Sequence, residues 1–461
     1  MVQLALLLLG LEAVQRHWLP LATIGAAWGL LGALVIIDPL DGVQDITLHT
    51  LGFLLVIEGA SALLALLVSA AKARLVALRS VALILAGLMI IETPWRNLML
   101  VSILFGLGLL VDGTVRAIST LLVRFPGWRI ALVATGIELV LAVLALAPWP
   151  VSYEATVPFC VGIALILSGW TVLRSAILLR DLPPDSPITS LPIFEHERGW
   201  HLPVTLPPSD DNAAETGERM IVHVWTPLAS ATDPRRRPLL DRYVAAVDRR
   251  GTVSTGHAAL EMPPDLYISH YRAEELDRSG LEFRQALHAG RQNDVSGRFL
   301  PSYAGEAAEW CDSTARVAFH NFSAARLRAF WAAYRQDPTY NLTNRNCSVV
   351  VAMALDAALE GVLGEGAVWS RLLRLILHPD LILATVLRKR AQTMTWTPGL
   401  VLDYARSLRR VVEPPETPWI GVLRQAIARY RQLRRQRLHG AAPEAASASR
   451  SAVAARPGDA G

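Results

Sequence analysis

"LGFLLVIEGASALLALLVSA", residues 51–70, holds a single charged side chain, Glu58. A helix needs about 20 mostly apolar residues to cross the hydrocarbon layer of a bilayer, so this run has the length and composition of a span. Its core "VIEGAS" (56–61) returns as "LVDGTV" (110–115) and "ILSGWT" (166–171), placing Gly59, Gly113 and Gly169 in register. Pro39, Pro94 and Pro148 recur with the same period of about 55 residues. Two independent landmarks sharing one period mark internal repetition.

Working outward, apolar runs of spanning length lie at 19–37, 46–70, 75–91, 98–118, 130–147 and 157–178. The expected fold of residues 1–180 is an all-α six-helix membrane bundle of three repeated hairpins, each proline closing the first helix of a pair. Small residues at the repeated positions let helix backbones approach closely in lipid. The opening "MVQLALLLLGLEAVQRHW" (1–18) has no basic n-region and no small-residue cleavage site, and reads as an interfacial helix leading into the first span. Arg16, Lys72, Arg74, Arg79, Arg116, Arg124, Arg129, Arg174 and Arg180 cluster before the first span, in the second and fourth loops, or at the end of the sixth span. The first, third and fifth loops carry Asp38, Asp41, Asp45, Glu92 and Glu154, with Arg96 their one base. Both chain ends are therefore expected on the cytoplasmic side. Glu58, Asp112 and Glu138 lie inside spans, where a carboxylate is costly and marks a candidate polar site. The alternative for Glu58 and Asp112, at equivalent repeat positions, is hydrogen bonding between hairpins near the cytoplasmic interface.

The whole chain of 461 residues is 52% hydrophobic, with a mean hydropathy of +0.35, more apolar than a soluble globular protein. The net charge of +4 comes almost wholly from arginine, since Lys72 and Lys389 are the only lysines. Aromatic and basic residues do not interleave as a nucleic-acid surface requires, so nucleic acid is not an expected partner. Cys160, Cys311 and Cys347 form no disulfide framework and no CxxC or zinc-type spacing; no metal and no cofactor are expected.

Six spans in three repeated hairpins, with the "LGFLLVIEGASALL" (51–64) type of repeat, resemble the HdeD-like acid-resistance membrane family over residues 1–180. The resemblance implies a multi-pass bacterial inner-membrane protein linked to acid or stress tolerance, with the lipid bilayer as partner. It carries over no catalytic residue.

Residues 181–219 are rich in proline and polar residues and read as a proline-stiffened linker. "MIVHVWTPLAS" (220–230), "GTVSTGHAALEM" (251–262) and "DLYISHYRA" (265–273) then alternate as strands do. "AARLRAFWAAYRQ" (324–336) and "CSVVVAMALDAALEGVL" (347–363) have helical periodicity. Strands followed by helices predict an α+β domain over 220–362. A helical extension follows over 363–439. In it "PWIGVLRQAIARYRQLRRQRL" (418–438) sets Trp419, Leu423, Ile427 and Tyr430 on one face among arginines, suited to anionic headgroups or to a solvated basic helix. The tail 440–461 is Ala/Ser/Pro-rich and is expected to be disordered.

In "NLTNRNCSVVVAMALDAALEG" (341–361) a polar run precedes Cys347, and a smooth helical pattern follows it. That places the thiol in a first helical turn, where free N–H groups favour negative charge. "GHAALEMPPDLYISH" (256–270) reads as a hairpin symmetric about the Pro263–Pro264 junction. Glu261 would pair with Leu266 and His257 with His270, bringing two imidazoles to about 5 Å. A histidine strand packed on the helix would supply the base, a second polar group would orient that base, and Asn346 with the helix N–H groups would face an oxyanion. His223 in "IVHVW" and Glu261 are alternatives for the second polar group. Cys311 in "EWCDST" is read as structural. The bland reading of Cys347 itself is a packed small hydrophobe.

The order His257, His270, then Cys347 at a helix start resembles the permuted branch of the papain-like NlpC/P60 superfamily, which includes lecithin:retinol acyltransferase-like proteins. The resemblance covers residues 220–362 and implies a permuted papain-like fold. It also implies Cys347 as nucleophile, His257 as general base and acid, and His270 as orienting partner. "NCSVVV" (346–351) departs from the "NCEHF"-type continuation of the acyltransferases, which leaves an acyl or a peptide substrate open. The expectation is a cysteine hydrolase, peptidase or acyltransferase-like domain attacking an amide, ester or thioester. The alternative is a non-enzymatic membrane protein for acid or stress tolerance whose soluble domain binds or regulates.

Overall fold

A computed structural model of the chain describes residues 2–38, 49, 52–61, 63, 74–92, 98–124, 128–147, 153–183, 186–191, 193–194, 218–226, 246–247, 253–254, 256–273, 288–376, 378–393 and 395–414. The first helices are α1 (Val2–Leu9), α2 (Leu11–Gln15), α3 (Trp18–Ile37), α4 (Gly52–Ser61), α5 (Arg74–Glu92), α6 (Leu98–Val123), α7 (Trp128–Leu146) and α8 (Tyr153–Asp181). Four stretches, Trp18–Ile37, Ser102–Val123, Trp128–Leu146 and Pro158–Asp181, are long and apolar enough to cross a membrane. Their outer faces are apolar: Leu30, Val111, Val133 and Leu167 are 63%, 63%, 65% and 61% exposed. A continuous surface of that kind is a lipid or partner surface, since monomers in water rarely expose such patches. The expected second span falls largely outside the described residues, which show only α4 of it; the third is described as α5.

The tight helix contacts run between repeats. Each second-member helix carries two glycines seven residues apart: Gly52 and Gly59, Gly106 and Gly113, Gly162 and Gly169. Two helical turns separate such residues, so both lie on one face. A Cβ at Gly169 would lie 2.5 Å from the backbone N of Gly29, and one at Gly32 would lie 2.6 Å from the Gly162 carbonyl. Gly52 meets Gly87, and Gly59 meets Ser80 and Ile84, in the same manner. Gly106 packs on Ala142 and Ala145, and Gly113 on Leu139. Thus α8 closes on α3, α4 on α5, and α6 on α7, whereas the sequence suggested pairing within each hairpin. Among the described residues the repeated glycines serve the neighbouring repeat, where they allow close helix approach.

The sheet domain contains β1 (Met220–Trp225), β2 (Ala246–Val247), β3 (Val253–Ser254), β4 (His257–Met262), β5 (Leu266–Ile268), β6 (His270–Arg272), β7 (Val295–Phe299), β8 (Ala315–Phe319) and β9 (Thr339–Tyr340). Its helices are α9 (Tyr303–Glu309), α10 (Ala324–Tyr334), α11 (Cys347–Leu359), α12 (Val368–Ile376), α13 (Pro379–Thr393) and α14 (Pro398–Val412). A four-stranded sheet has the order β5-β4-β1-β8, antiparallel at β1–β4, β1–β8 and β4–β5; β6-β7-β9 form a second sheet. Alternate residues Met220, Val222, Val224, Ala258, Leu260, Met262, Val317 and Phe319 make one buried apolar face, packed with α11 and α14. The α+β expectation is met in this mixed sheet-and-helix architecture.

Two segments assigned elsewhere by sequence join this core. Leu4 to Leu9 of α1 are all at most 1% exposed. The Gly361 and Leu363 amides donate to the Leu7 and Leu8 carbonyls at 3.0 and 2.8 Å. The expected interfacial helix is therefore a core helix. Gly10 ends it at φ 78°, so close to Gly361 that a Cβ would lie 2.5 Å from the Gly361 Cα. Ile188, Leu191 and Phe194 from the expected linker are also buried there, and Glu360 accepts the Ile188 amide at 3.0 Å. The unit Met1–Glu413 contains everything above; the expected basic helix 418–438 and tail 440–461 lie outside the described residues.

Candidate functional site

Cys347 opens α11 because Asn346 caps it. The Asn346 Oδ1 accepts the Ser348 and Val349 amides at 2.9 and 2.8 Å. Its Nδ2 donates to the Leu342 carbonyl, Thr395 Oγ1 and the Trp396 carbonyl at 2.7, 3.1 and 3.3 Å. Asn346 is thus committed to the cap and turned away from the oxyanion role suggested by its position next to the thiol. Arg345 donates to the carbonyls of Thr339, Tyr334 and Asp337, bracing the same turn. The Cys347 sulfur lies 3.8 Å from Ser348 Oγ and near enough to the Ala258 backbone for that dipole to favour its anion. It therefore sits against β4, beside the residue that follows His257. Burial pushes this thiol up, so it rests protonated.

His257 lies on the other, polar face of the sheet. Trp225 is its β1 partner. Tyr271 stacks on the imidazole at 4.0 Å and 16°. Its Nε2 lies 3.0 Å from Ser269 Oγ and 3.3 Å from Glu306 Oε1. Glu306, on α9, also accepts Tyr267 OH at 2.6 Å, Ser269 Oγ at 2.8 Å and Tyr271 OH at 2.8 Å. His257 and Glu306 are each 3% exposed. Burial lowers the His257 pKa to about 3, which keeps the imidazole neutral. Burial first, and then the Glu306 charge, push both tyrosines up, so they remain donors.

His270 does not join His257. The turn takes three residues, Pro263, Pro264 and Asp265, and the register is Met262↔Leu266, Glu261↔Tyr267 and Leu260↔Ile268. That is one residue away from the pairing the symmetric hairpin suggested, and a one-residue slip turns every side chain to the opposite face. His270 instead binds Tyr334 OH through Nδ1 at 3.0 Å and the Pro338 carbonyl through Nε2 at 3.3 Å. It packs among Phe299, Tyr334 and Tyr340. The two alternatives pair with each other: His223 Nε2 lies 3.1 Å from Glu261 Oε2, and its Nδ1 lies 3.1 Å from Ser313 Oγ. Cys311 supplies a carbonyl to the Trp225 indole at 2.8 Å.

In the membrane helices, Asp112 pairs with Arg116 at 2.9 Å, and Arg116 Nε lies 3.9 Å from Glu138. Asp112 thus meets a base on its own helix and an acid across the α6–α7 contact. Glu58 is exposed on α4. Among the described residues, no group of three or more His, Cys, Asp or Glu side chains is placed to hold a metal ion.

Sequence reasoning missed Glu306, one of two acids in a short helix with no motif around it. The signal on the other side was present. Tyr267, Ser269 and Tyr271 alternate with Ile268 and His270, so hydroxyls at period 2 marked a polar strand face. No protein-family model, curated protein or solved structure matches the chain.

Proposed function

We propose that this chain is a multi-pass protein of a bacterial inner membrane, with six spans, both ends cytoplasmic, and a cysteine-dependent acyl-transfer site in its sheet domain. The family resemblances to the HdeD-like and permuted NlpC/P60 groups belong to this proposal. The observation that carries it is the seating of a thiol at a helix N-terminus against the strand residue next to a histidine. That histidine is anchored through Nε2, and among the described residues its Nδ1 has no hydrogen-bond partner.

The chemistry follows from two neutral groups. As a substrate carbonyl reaches the sulfur, the thiol proton passes to His257 Nδ1 and a sulfur–carbon bond forms. Collapse breaks the bond to the leaving nitrogen, oxygen or sulfur, which takes the proton from His257. Water or an acceptor alcohol or amine then repeats the sequence on the thioester and releases the thiol. The amides of Ser348 and Val349 are held by Asn346, so α11 favours negative charge through its N-terminal dipole rather than through that side chain.

An electrophilic acyl probe tests this. Cys347→Ala is expected to abolish labelling and His257→Gln to slow it by about 100-fold or more, while Cys311→Ala leaves it unchanged. Equal labelling of the two cysteine variants rejects the proposal. The Asp112–Arg116–Glu138 cluster favours a second reading, a non-enzymatic acid- or stress-tolerance protein. Normal acid survival in a Cys347→Ala strain together with loss in a Glu138→Ala strain selects that reading.

A further inference from the structure

We infer that Glu306, seated by Tyr267, Ser269 and Tyr271, is the positioning residue that fixes His257 as the tautomer with its proton on Nε2 and its lone pair on Nδ1. The inference rests on the proposed cysteine chemistry for its consequence, although not for its geometry.

A hydroxyl has one proton to give, and a carboxylate has only lone pairs to offer. Tyr267 and Ser269 give theirs to Oε2 of Glu306, and Tyr271 gives its proton to Oε1. Ser269 has then no proton left for the imidazole, so at 3.0 Å it can only accept from Nε2–H. The second acceptor in reach of the same N–H is Glu306 Oε1 at 3.3 Å. Nε2 is protonated, and in a neutral imidazole the bare nitrogen is then Nδ1. The ring plane is held as well, by Tyr271 stacked at 4.0 Å and Trp225 at 5.5 Å. Orientation and tautomer are both set before any substrate arrives.

The same carboxylate has a second consequence. Taking the thiol proton turns His257 into a buried cation, which is unfavourable unless a counter-charge lies beside it. Glu306 is that counter-charge, already desolvated and already held by three hydroxyls. The cation forms against an acceptor that needs no rearrangement, the arrangement that makes a buried carboxylate effective behind an imidazole base. His270, with both nitrogens engaged elsewhere, supplies none of this.

The test uses the full-length protein in detergent, labelled with ¹⁵N-histidine, the His257 signals being assigned from their loss in His257→Gln. Wild type is expected to show His257 with a protonated Nε2 and an unprotonated Nδ1. Glu306→Gln should scramble that pattern, and should lower the rate of acyl-probe labelling of Cys347 by about 1,000-fold with an altered pH profile. Glu306→Asp should recover part of both. Should Glu306→Gln fail to fold, Tyr271→Phe removes one donor and should slow labelling about tenfold while keeping the tautomer. An unchanged tautomer and pH profile in Glu306→Gln, or an unchanged rate in Tyr271→Phe, overturns the inference. If the wild-type thiol takes no acyl probe, the proposed function fails alone, and the tautomer comparison still decides the role of Glu306.

Discussion

Two apolar helices follow one another in the first 37 residues, and they settle in different surroundings. In α1, Leu4 to Leu9 are enclosed by the sheet domain, at most 1% exposed. In α3, Leu19, Ile24, Leu30 and Leu34 remain 57%, 48%, 63% and 48% exposed and form an apolar outer surface. The composition of the two is alike; their length is not. Eight residues rise about 12 Å, far short of a ~30 Å hydrocarbon layer, while twenty suffice. A short apolar helix can therefore be buried only by other protein. Here it is pinned at its far end by Gly10 against Gly361, the exit of the helix that Cys347 begins. The sheet domain is thus built from both sides of the membrane helices in sequence.

That contrast can be broken most directly by truncating one leucine in each helix. Leu7→Ala is expected to cost about 2–5 kcal/mol of sheet-domain stability, because a cavity forms where nothing can collapse. Leu30→Ala should stay within about 0.5 kcal/mol in detergent. Urea midpoints followed by limited proteolysis measure both, and similar losses from the two would show that α1 is not a core helix.

A smaller effect is expected at the joint. Gly10→Ala forces a side chain onto φ 78° and into the Gly361 backbone, for about 1–3 kcal/mol. It should lower the sheet-domain midpoint while leaving helix packing around Gly169 intact. A neutral result would detach α1 from the exit of α11.

The mildest prediction concerns pH. The sheet domain also buries His257 and His270, whose pKa values fall to about 3 and about 4, chiefly through burial, from an ordinary 6.5. Between those values the unfolded chain binds the extra protons, so stability decreases as pH falls from 6.5 toward 4 and is unaffected above 6.5. The urea midpoint should follow that course, with a shallower slope in His257→Gln. A midpoint that holds or rises over this interval contradicts neutral, buried imidazoles.

Legibility differed from element to element for physical reasons. The apolar runs of α3, α6, α7 and α8 could be read because length and composition are local quantities. The start of α11 at Cys347 could be read because a cap is a matter of adjacent residues, Asn346 and the two amides after it. The glycine period was visible, but the partner helix was not, since complementarity joins residues 21 or 130 positions apart, such as Gly59 with Ser80 and Gly32 with Gly162. The hairpin at Pro263 was visible too, yet one extra turn residue moved His270 to the opposite face and brought Tyr271 onto His257.

From sequence alone came apolar helices, four of them long enough to cross a membrane, a sheet-and-helix domain after them, and a thiol at the head of a helix. Those features are written in consecutive residues through period, length and capping. Folding in three dimensions decided that α1 joins the sheet core, that Glu306 rather than His270 stands behind His257, and that repeats pack on their neighbours. Each of these depends on which distant surfaces fit and which strand register buries the apolar face, and no stretch of chain specifies that by itself.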